Sequence, residues 1–252
     1  MSAATDWSQA TGARMRVIVP GGPPAADGSR KIGLEIELEP GWKTYWREPG
    51  DAGVPPYFDH SASANVAALD IDWPAPHRFV DGNGMSIGYK NTVVLPITVK
   101  PESAALPVLL SLSVEYGVCR EICVPATGTA RIMLPRTEDE DSEAKRTLDR
   151  FSTLIPTEPT ADLAVTEVAG EDDKTLVVRS RLADPKAPSD LFVEGPENWY
   201  FPAPKLETVA DGIATWRVAL DGGPKDKSLK GSDLTFTLVN GDKAVEQNWH
   251  LD

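Results

Sequence analysis

The sequence is poor in several residue types that carry chemistry in other proteins. Its 252 residues include two cysteines and three histidines, and aromatic residues make up 7% of the chain. Lysine and arginine number 25 against 38 aspartates and glutamates, which gives a net charge of −13. This shortage of positive charge argues against nucleic acid or an anionic membrane surface as a partner. Phosphate-binding glycine loops and the Gly-x-Ser-x-Gly nucleophile motif are also missing.

Long apolar segments are missing as well. The longest uncharged stretch near the middle of the chain, Ser103–Val114, has twelve residues, whereas a membrane-spanning helix needs about 20. No signal peptide is recognisable at the start, and we expect such a peptide to have been removed. The 20 glycines and 22 prolines exclude a protein made of long helices.

What the chain does contain is a series of short segments with β-branched residues and alternating polarity, which predict β-strands. They are Met15–Val19, Gly33–Leu38, Thr92–Val99, Val108–Val114, Thr129–Leu134, Ala164–Val168, Thr175–Arg181, Asp190–Val193, Ile213–Leu220, Leu234–Val239 and Ala244–Leu251. Their number and the spacing of the turns between them favour sandwiches over barrels.

One segment between these strands differs. Thr137–Asp141 contains four acidic residues and predicts a solvated linker. Ser142 is the predicted N-cap of a short helix that Pro156 ends. The apolar residues of this segment fall on one helix face: Ala144, Leu148, Phe151 and Leu154.

These features predict an all-β protein of two β-sandwich domains joined by an acidic linker and a short helix. We expect the first domain at 1–136, the linker and helix at 137–154, and the second domain at 155–252. The net charge is −2 over 1–136 and −11 over 137–252, so the acidic excess lies in the second part.

The two cysteines, Cys119 and Cys123, lie four residues apart. An extended strand would separate their Cα atoms by about 13 Å, whereas a disulfide needs them within about 7 Å, so pairing requires a turn. Such a short loop contributes only about 2 kcal/mol of chain-entropy stabilisation, and strained or exposed bridges are the reducible ones. Arg120 between the cysteines favours a thiolate, and Glu121 opposes it.

Three interpretations of the pair remain open: a redox-active pair, a structural disulfide of a secreted domain, and a metal site. The spacing suits zinc, but His60, His77 and His250 are scattered along the chain. A thioredoxin-type Cys-x-x-Cys is absent, and Pro125 argues against a helix beginning at Cys123. The residues favour the redox-active pair.

A dense aromatic segment, with Trp42, Tyr45 and Trp46 in five residues, either packs in the core or shields a reactive site. Together with three later motifs, it resembles the N-terminal periplasmic domain of DsbD-type disulfide reductases, the ScsB-like branch above all. The four motifs are Gly41–Pro56, Trp73–Phe79, Ile87–Pro96 and Tyr116–Pro125. The resemblance covers about 15–136. Residues 155–252 carry no matching motif, although ScsB-like proteins have a second β domain there.

The resemblance implies an immunoglobulin-like fold, a periplasmic location and a protein-disulfide reductase. Cys119 and Cys123 would be its catalytic pair, with Cys123 forming the mixed disulfide and Cys119 resolving it. No cofactor is implied beyond this redox-active disulfide, and no metal. Electrons would come from a membrane electron-transfer domain and pass to thioredoxin-like partners of the disulfide isomerase or cytochrome c maturation type.

The resemblance also implies residues that surround the cysteines. Tyr45 and Trp46 align with site-lining aromatics, and Asp81–Tyr89 aligns with a cap loop that covers the pair. The other predicted lining or cap residues are Met85, Ile87, Tyr89 and Arg120. The family's wider cysteine spacing and its cap phenylalanine are not matched, since Phe79 precedes the loop. The alternative function is a non-enzymatic binding module with a purely structural disulfide.

Overall fold

The computed structural model describes residues 4–50, 53–81, 84–134, 141–172, 174–220, 223 and 229–251. The chain divides into two compact units, Met1–Ile155 and Pro156–Asp252. Each unit contains two sheets of antiparallel strands. The predicted all-β class, with two immunoglobulin-like sandwiches and a short helix, is therefore confirmed.

The first unit contains eleven strands among its described residues. They are β1 (Ser8–Ala10), β2 (Ala13–Ile18), β3 (Arg30–Leu38), β4 (Lys43–Tyr45), β5 (Tyr57–Asp59), β6 (Ala68–Ile71), β7 (His77–Asp81), β8 (Gly84–Lys90), β9 (Thr92–Lys100), β10 (Val108–Cys119) and β11 (Cys123–Leu134). One sheet has the order β1-β2-β3-β9-β6. The other has the order β11-β10-β4-β8-β7, and β5 also pairs with β10.

Strand β10 shows why the two sheets pack face to face. Its alternate residues are buried apolar side chains: Val108, Leu110, Leu112, Val114, Tyr116 and Val118. Because side chains alternate between the faces of a strand, these six point into the sandwich. The odd-numbered residues, including Gly117 and Cys119, therefore lie on the outer face of the sheet.

The predicted helix is α1 (Ser142–Ser152). Asp141, rather than the predicted Ser142, is its N-cap: the Asp141 carboxylate accepts hydrogen bonds from the backbone N–H groups of Glu143 and Ala144 at 3.0 and 2.7 Å. Leu154 lies beyond the helix and is exposed. The rest of the predicted acidic linker, 137–140, lies outside the described residues.

The helix packs against the outer face of the β2-β3-β9 sheet. Its buried side chains and their partners in the sheet form one small apolar cluster: Ala144, Leu148, Phe151, Ile18 and Val94. The helix therefore belongs to the first compact unit. Within the described part of the chain, no helix has the length and apolar character needed to cross a bilayer.

The second unit has seven strands among its described residues: β12 (Ala164–Asp172), β13 (Thr175–Arg181), β14 (Ser189–Glu194), β15 (Lys205–Ala210), β16 (Ile213–Ala219), β17 (Asp233–Asn240) and β18 (Lys243–His250). The sheets β12-β13-β16-β15 and β14-β17-β18 enclose a core that includes Trp216 and Phe236. The division of the chain at 136 and 154 into separate domains stays a prediction.

The Leu148→Ala substitution tests the packing of α1. Removing a buried leucine side chain leaves a cavity, so we expect a loss of about 2–5 kcal/mol in the free energy of unfolding. Urea unfolding of the full chain measures it. Arg146→Ala, at an exposed position of the same helix, is the control and should change stability by less than about 0.5 kcal/mol. Equal effects of the two substitutions would contradict this packing.

Candidate redox site

The two cysteines close the free end of a long hairpin. Strands β10 and β11 are paired at twelve positions, and Cys119 opposite Cys123 is the last pair. Residues 120–122 form the tip between them. The Cα atoms of the cysteines are 4.1 Å apart, and the side chains form a disulfide. The hairpin thus supplies the turn that pairing at this spacing requires.

The two sulfur-bearing residues differ in their access to solvent. Cys119 has 0% of its surface exposed, because its strand lies between β11 and β4. Cys123 is exposed, because β11 is the edge strand of this sheet. An approaching thiolate can therefore reach Cys123, and Cys119 would then be the leaving sulfur.

Tyr45 reaches the exposed cysteine from β4. Its hydroxyl lies 3.0 Å from the Cys123 Sγ. The ring passes between two glycines: a Cβ on Gly117 would lie 2.7 Å from ring atom Cε2, and a Cβ on Gly53 would lie 2.9 Å from Cδ1. Any other residue at either position would displace the ring, so the two glycines form a slot that holds Tyr45 against the disulfide.

The pairing of the strands extends the cysteine pair into a row across the sheet. Lys43 of β4 is opposite Cys119 on one side and opposite Lys90 of β8 on the other. Directly opposite residues share a face, so the row runs Cys123, Cys119, Lys43, Lys90 on the outer face of the sheet. The sequence analysis did not identify either lysine. The alternation of side chains along β10 indicates only which residues of that strand share a face with Cys119, whereas the lysines lie on other strands.

The lysines of this row rest on residues of the β7–β8 hairpin. Lys43 is only 4% exposed, and its Nζ donates a hydrogen bond to the Ser86 Oγ at 2.8 Å. The Phe79 ring centroid lies 4.4 Å from the Lys90 Nζ and 5.9 Å from the Lys43 Nζ. Cation–π attraction and the hydrogen bond thus hold both ammonium groups on the outer face.

Arg120, a predicted lining residue, lies at the hairpin tip but turns toward the β3–β4 loop. Its guanidinium carbon is 5.6 Å from the centroid of the Trp42 ring. The side chain also passes over Gly41, where a Cβ would lie 3.3 Å from the Arg120 Cδ. This contact ties the tip of the hairpin to the neighbouring loop.

Three other predicted lining or cap residues lie on the opposite side of the sheet from the disulfide. Tyr45 is paired with Gly88 and faces the cysteines. Because side chains alternate along a strand, the odd-numbered residues of β8 on either side of Gly88 point toward the other face. These residues are Met85, Ile87 and Tyr89. Trp46, the fourth, follows β4 and is 1% exposed, and its backbone N–H donates a hydrogen bond to the Ile87 carbonyl at 3.0 Å. The cap tip at 82–83 lies outside the described residues. A covering role for Met85 and Ile87 stays a prediction.

Tyr89 illustrates the environment of that opposite face. Its hydroxyl donates a hydrogen bond to the Pro74 carbonyl at 2.7 Å. Burial raises the pKa of Tyr89 well above its ordinary value, against a smaller opposing effect of the Arg47 charge. The hydroxyl therefore stays protonated and keeps its hydrogen bond to the Pro74 carbonyl, which fixes the segment around Pro74.

Exposed apolar side chains lie along the hairpin that carries the disulfide. Ile122 in the hairpin tip is 75% exposed, Tyr57 of β5 is 65% exposed, and Val54 beside Gly117 is 58% exposed. Exposed apolar side chains grouped at one place are typical of contact surfaces. Among the described residues, no group of three or more His, Cys, Asp or Glu side chains is placed to hold a metal ion.

Comparison with known proteins agrees with this geometry. Residues 18–135 match the family described as "Thiol:disulfide interchange protein DsbD, N-terminal". Residues 154–252 match a family described as a domain of unknown function. Among solved structures, the chain is similar to the N-terminal periplasmic domain of ScsB from Proteus mirabilis, with a TM-score of 0.82 and 21% identity. The match covers 100% of this chain and 99% of that one. No curated protein matches.

The Tyr45→Phe substitution tests the contact with Cys123. It removes the hydroxyl and keeps the ring in its glycine slot. Since a hydrogen bond to an ionised group contributes about 1.5–3 kcal/mol, its loss should raise the pH at which the Cys123 thiolate forms by about one unit or more. Ultraviolet absorbance of the thiolate in the reduced protein measures this. Tyr57→Phe, at an exposed position, is the control, and equal shifts in both variants would contradict a specific role for Tyr45.

The contacts of Phe79 predict an effect on the reduced pair, because this ring holds the two lysines that share a row with the cysteines. We expect Phe79→Ala to release Lys43 and Lys90 and to speed oxidation of the reduced protein by a small disulfide severalfold. Met85→Ala, on the other face, should leave the rate within about twofold. Stopped-flow measurement of the two variants decides the point. Faster oxidation in the Met85 variant alone would instead support the cap role implied by the family resemblance.

Proposed function

We propose, from the match of residues 18–135 to the DsbD N-terminal family, that this chain is a periplasmic protein-disulfide reductase. It takes reducing equivalents from a membrane electron-transfer domain and relays them to thioredoxin-like partners through Cys119 and Cys123. The observation that carries the proposal is the disulfide itself, with one buried and one exposed cysteine at the end of a hairpin. The likeness to a periplasmic domain of ScsB supports the location.

The reaction begins with the reduced pair. The Cys123 thiolate attacks one sulfur of the partner's disulfide, that bond breaks, and the partner's other sulfur leaves as a thiolate. The Cys119 thiolate then attacks the Cys123 Sγ and releases the partner's second sulfur. Two electrons pass to the partner, which takes up protons from solvent, and the Cys119–Cys123 bond re-forms. Two electrons from the membrane domain restore the dithiol.

The surroundings of Cys123 suit each of these steps. Tyr45 donates its hydroxyl hydrogen to the sulfur that becomes charged. The apolar side chains of Val54, Tyr57 and Ile122 offer a surface for a partner to cover. We infer that the partners are of the disulfide isomerase or cytochrome c maturation type, as the family resemblance implies.

Trapping of the mixed disulfide tests the order of the two cysteines. Cys119→Ser keeps the exposed nucleophile and removes the resolving thiolate, so we expect a covalent complex with an oxidised thioredoxin-like protein to accumulate. Cys123→Ser, the matched variant, should accumulate at least about tenfold less complex because Cys119 is buried. Non-reducing electrophoresis measures both. Equal trapping by the two variants would contradict the assigned order.

A redox titration separates this proposal from a binding module with a structural disulfide. Structural disulfides have reduction potentials below about −300 mV, and exchanging pairs lie above that value. We expect the Cys119–Cys123 pair to equilibrate with a dithiol buffer above it. A bond that resists reduction well below this potential, together with no mixed disulfide, would favour the binding module.

A further inference from the structure

The row of residues that contains the disulfide continues as two cations. Lys43 and Lys90 follow Cys123 and Cys119 across the outer face of the sheet. Lys90 is exposed at the end of β8, whereas the buried Lys43 contributes its charge from beneath the surface. A charge held in a surface of low dielectric acts over a longer distance than one in open water.

The charges around this row differ from those of the whole protein. The chain carries −13, but residues 1–136 carry only −2. Among the described residues of this hairpin, Glu121 lies in the tip and Glu115 on β10, whereas the lysines lie toward β8. Arg120 adds a cation over Trp42 at the tip. The disulfide is therefore bordered by fixed positive charge on its β4–β8 side.

We propose that Lys43 and Lys90 make this side of the disulfide a cationic docking face for a partner whose own reactive disulfide is bordered by carboxylates. The inference rests on the proposed exchange function and deepens it by giving the partner's charge. The exposed Val54, Tyr57 and Ile122 supply apolar contact, and the lysines select among partners that offer similar apolar surfaces. Complementary charge of this kind raises association rates and excludes partners of the same sign.

Two small disulfides of opposite charge test the proposal without a known partner. Glutathione disulfide is anionic and cystamine is cationic at neutral pH. In each reaction the Cys123 thiolate attacks the small disulfide and releases one thiolate, and Cys119 then displaces the second. We expect the reduced protein to react faster with glutathione disulfide than with cystamine, after each rate is divided by the rate of a neutral free thiol with the same disulfide under the same conditions. The preference should fall as salt is raised, because added ions screen the lysines.

Charge reversal at one exposed lysine locates the effect. Lys90→Glu should slow the reaction with glutathione disulfide about three- to tenfold at low salt and speed the reaction with cystamine. Lys31→Glu, at an exposed position of β3 in the other sheet, changes the net charge equally and should leave both rates within about twofold. Circular dichroism confirms that each variant is folded.

The outcomes separate this inference from the proposed function. Reaction with both disulfides at similar rates, unaffected by Lys90→Glu, would overturn the cationic docking face and leave the exchange function standing. Equal effects of Lys90→Glu and Lys31→Glu would overturn it too, because net charge would then explain the rates. No reaction with either disulfide would contradict the exchange function itself. Opposite rate changes in the Lys90 variant alone support the proposal.

Discussion

The register of strand β10 is the constraint on which the rest of the site depends. Six alternate side chains, from Val108 to Val118, are buried between the two sheets, and a shift of one residue would expose all of them. The same register places Cys119 on the outer face and opposite Cys123. Burial of the core thus decides where the disulfide lies, and the position of β11 at the sheet edge decides which cysteine is exposed.

Glycines at positions where a side chain would not fit are the second requirement of the site. Tyr45 can lie over the hairpin end only because Gly53 and Gly117 leave room for its ring. Gly88 serves the same region differently: a Cβ there would collide with the Thr44 carbonyl oxygen, so it permits the close approach of β4 and β8. Since β4 carries both Tyr45 and Lys43, this approach brings the hydroxyl and the buried cation to the same face as the cysteines.

Local sequence patterns were sufficient for much of the fold, because long alternating segments such as β10 and local features such as the cysteine turn depend on neighbouring residues. The prediction went wrong by one residue at Ser142, since Asp141 caps a helix equally well. The cation row could not be predicted, because it joins Cys119 to Lys43 and Lys90 through pairings between distant segments. Strand β4 has three residues, too few to show a period. The faces of Met85 and Ile87 follow from the same long-range register.

The buried position of Cys119 and the charge beside it are connected. A thiolate enclosed by protein is unfavourable unless a cation or hydrogen-bond donor compensates for lost hydration. In the proposed exchange, either direction passes through a Cys119 thiolate, as leaving group when the disulfide is attacked and as nucleophile when the mixed disulfide is resolved. An apolar enclosure alone would protect Cys119 and also slow it. In the proposed exchange, Lys43, opposite Cys119 in the sheet and held at the Ser86 Oγ, supplies a cation on the neighbouring strand that offsets part of this cost, so protection and reactivity are compatible in one fold.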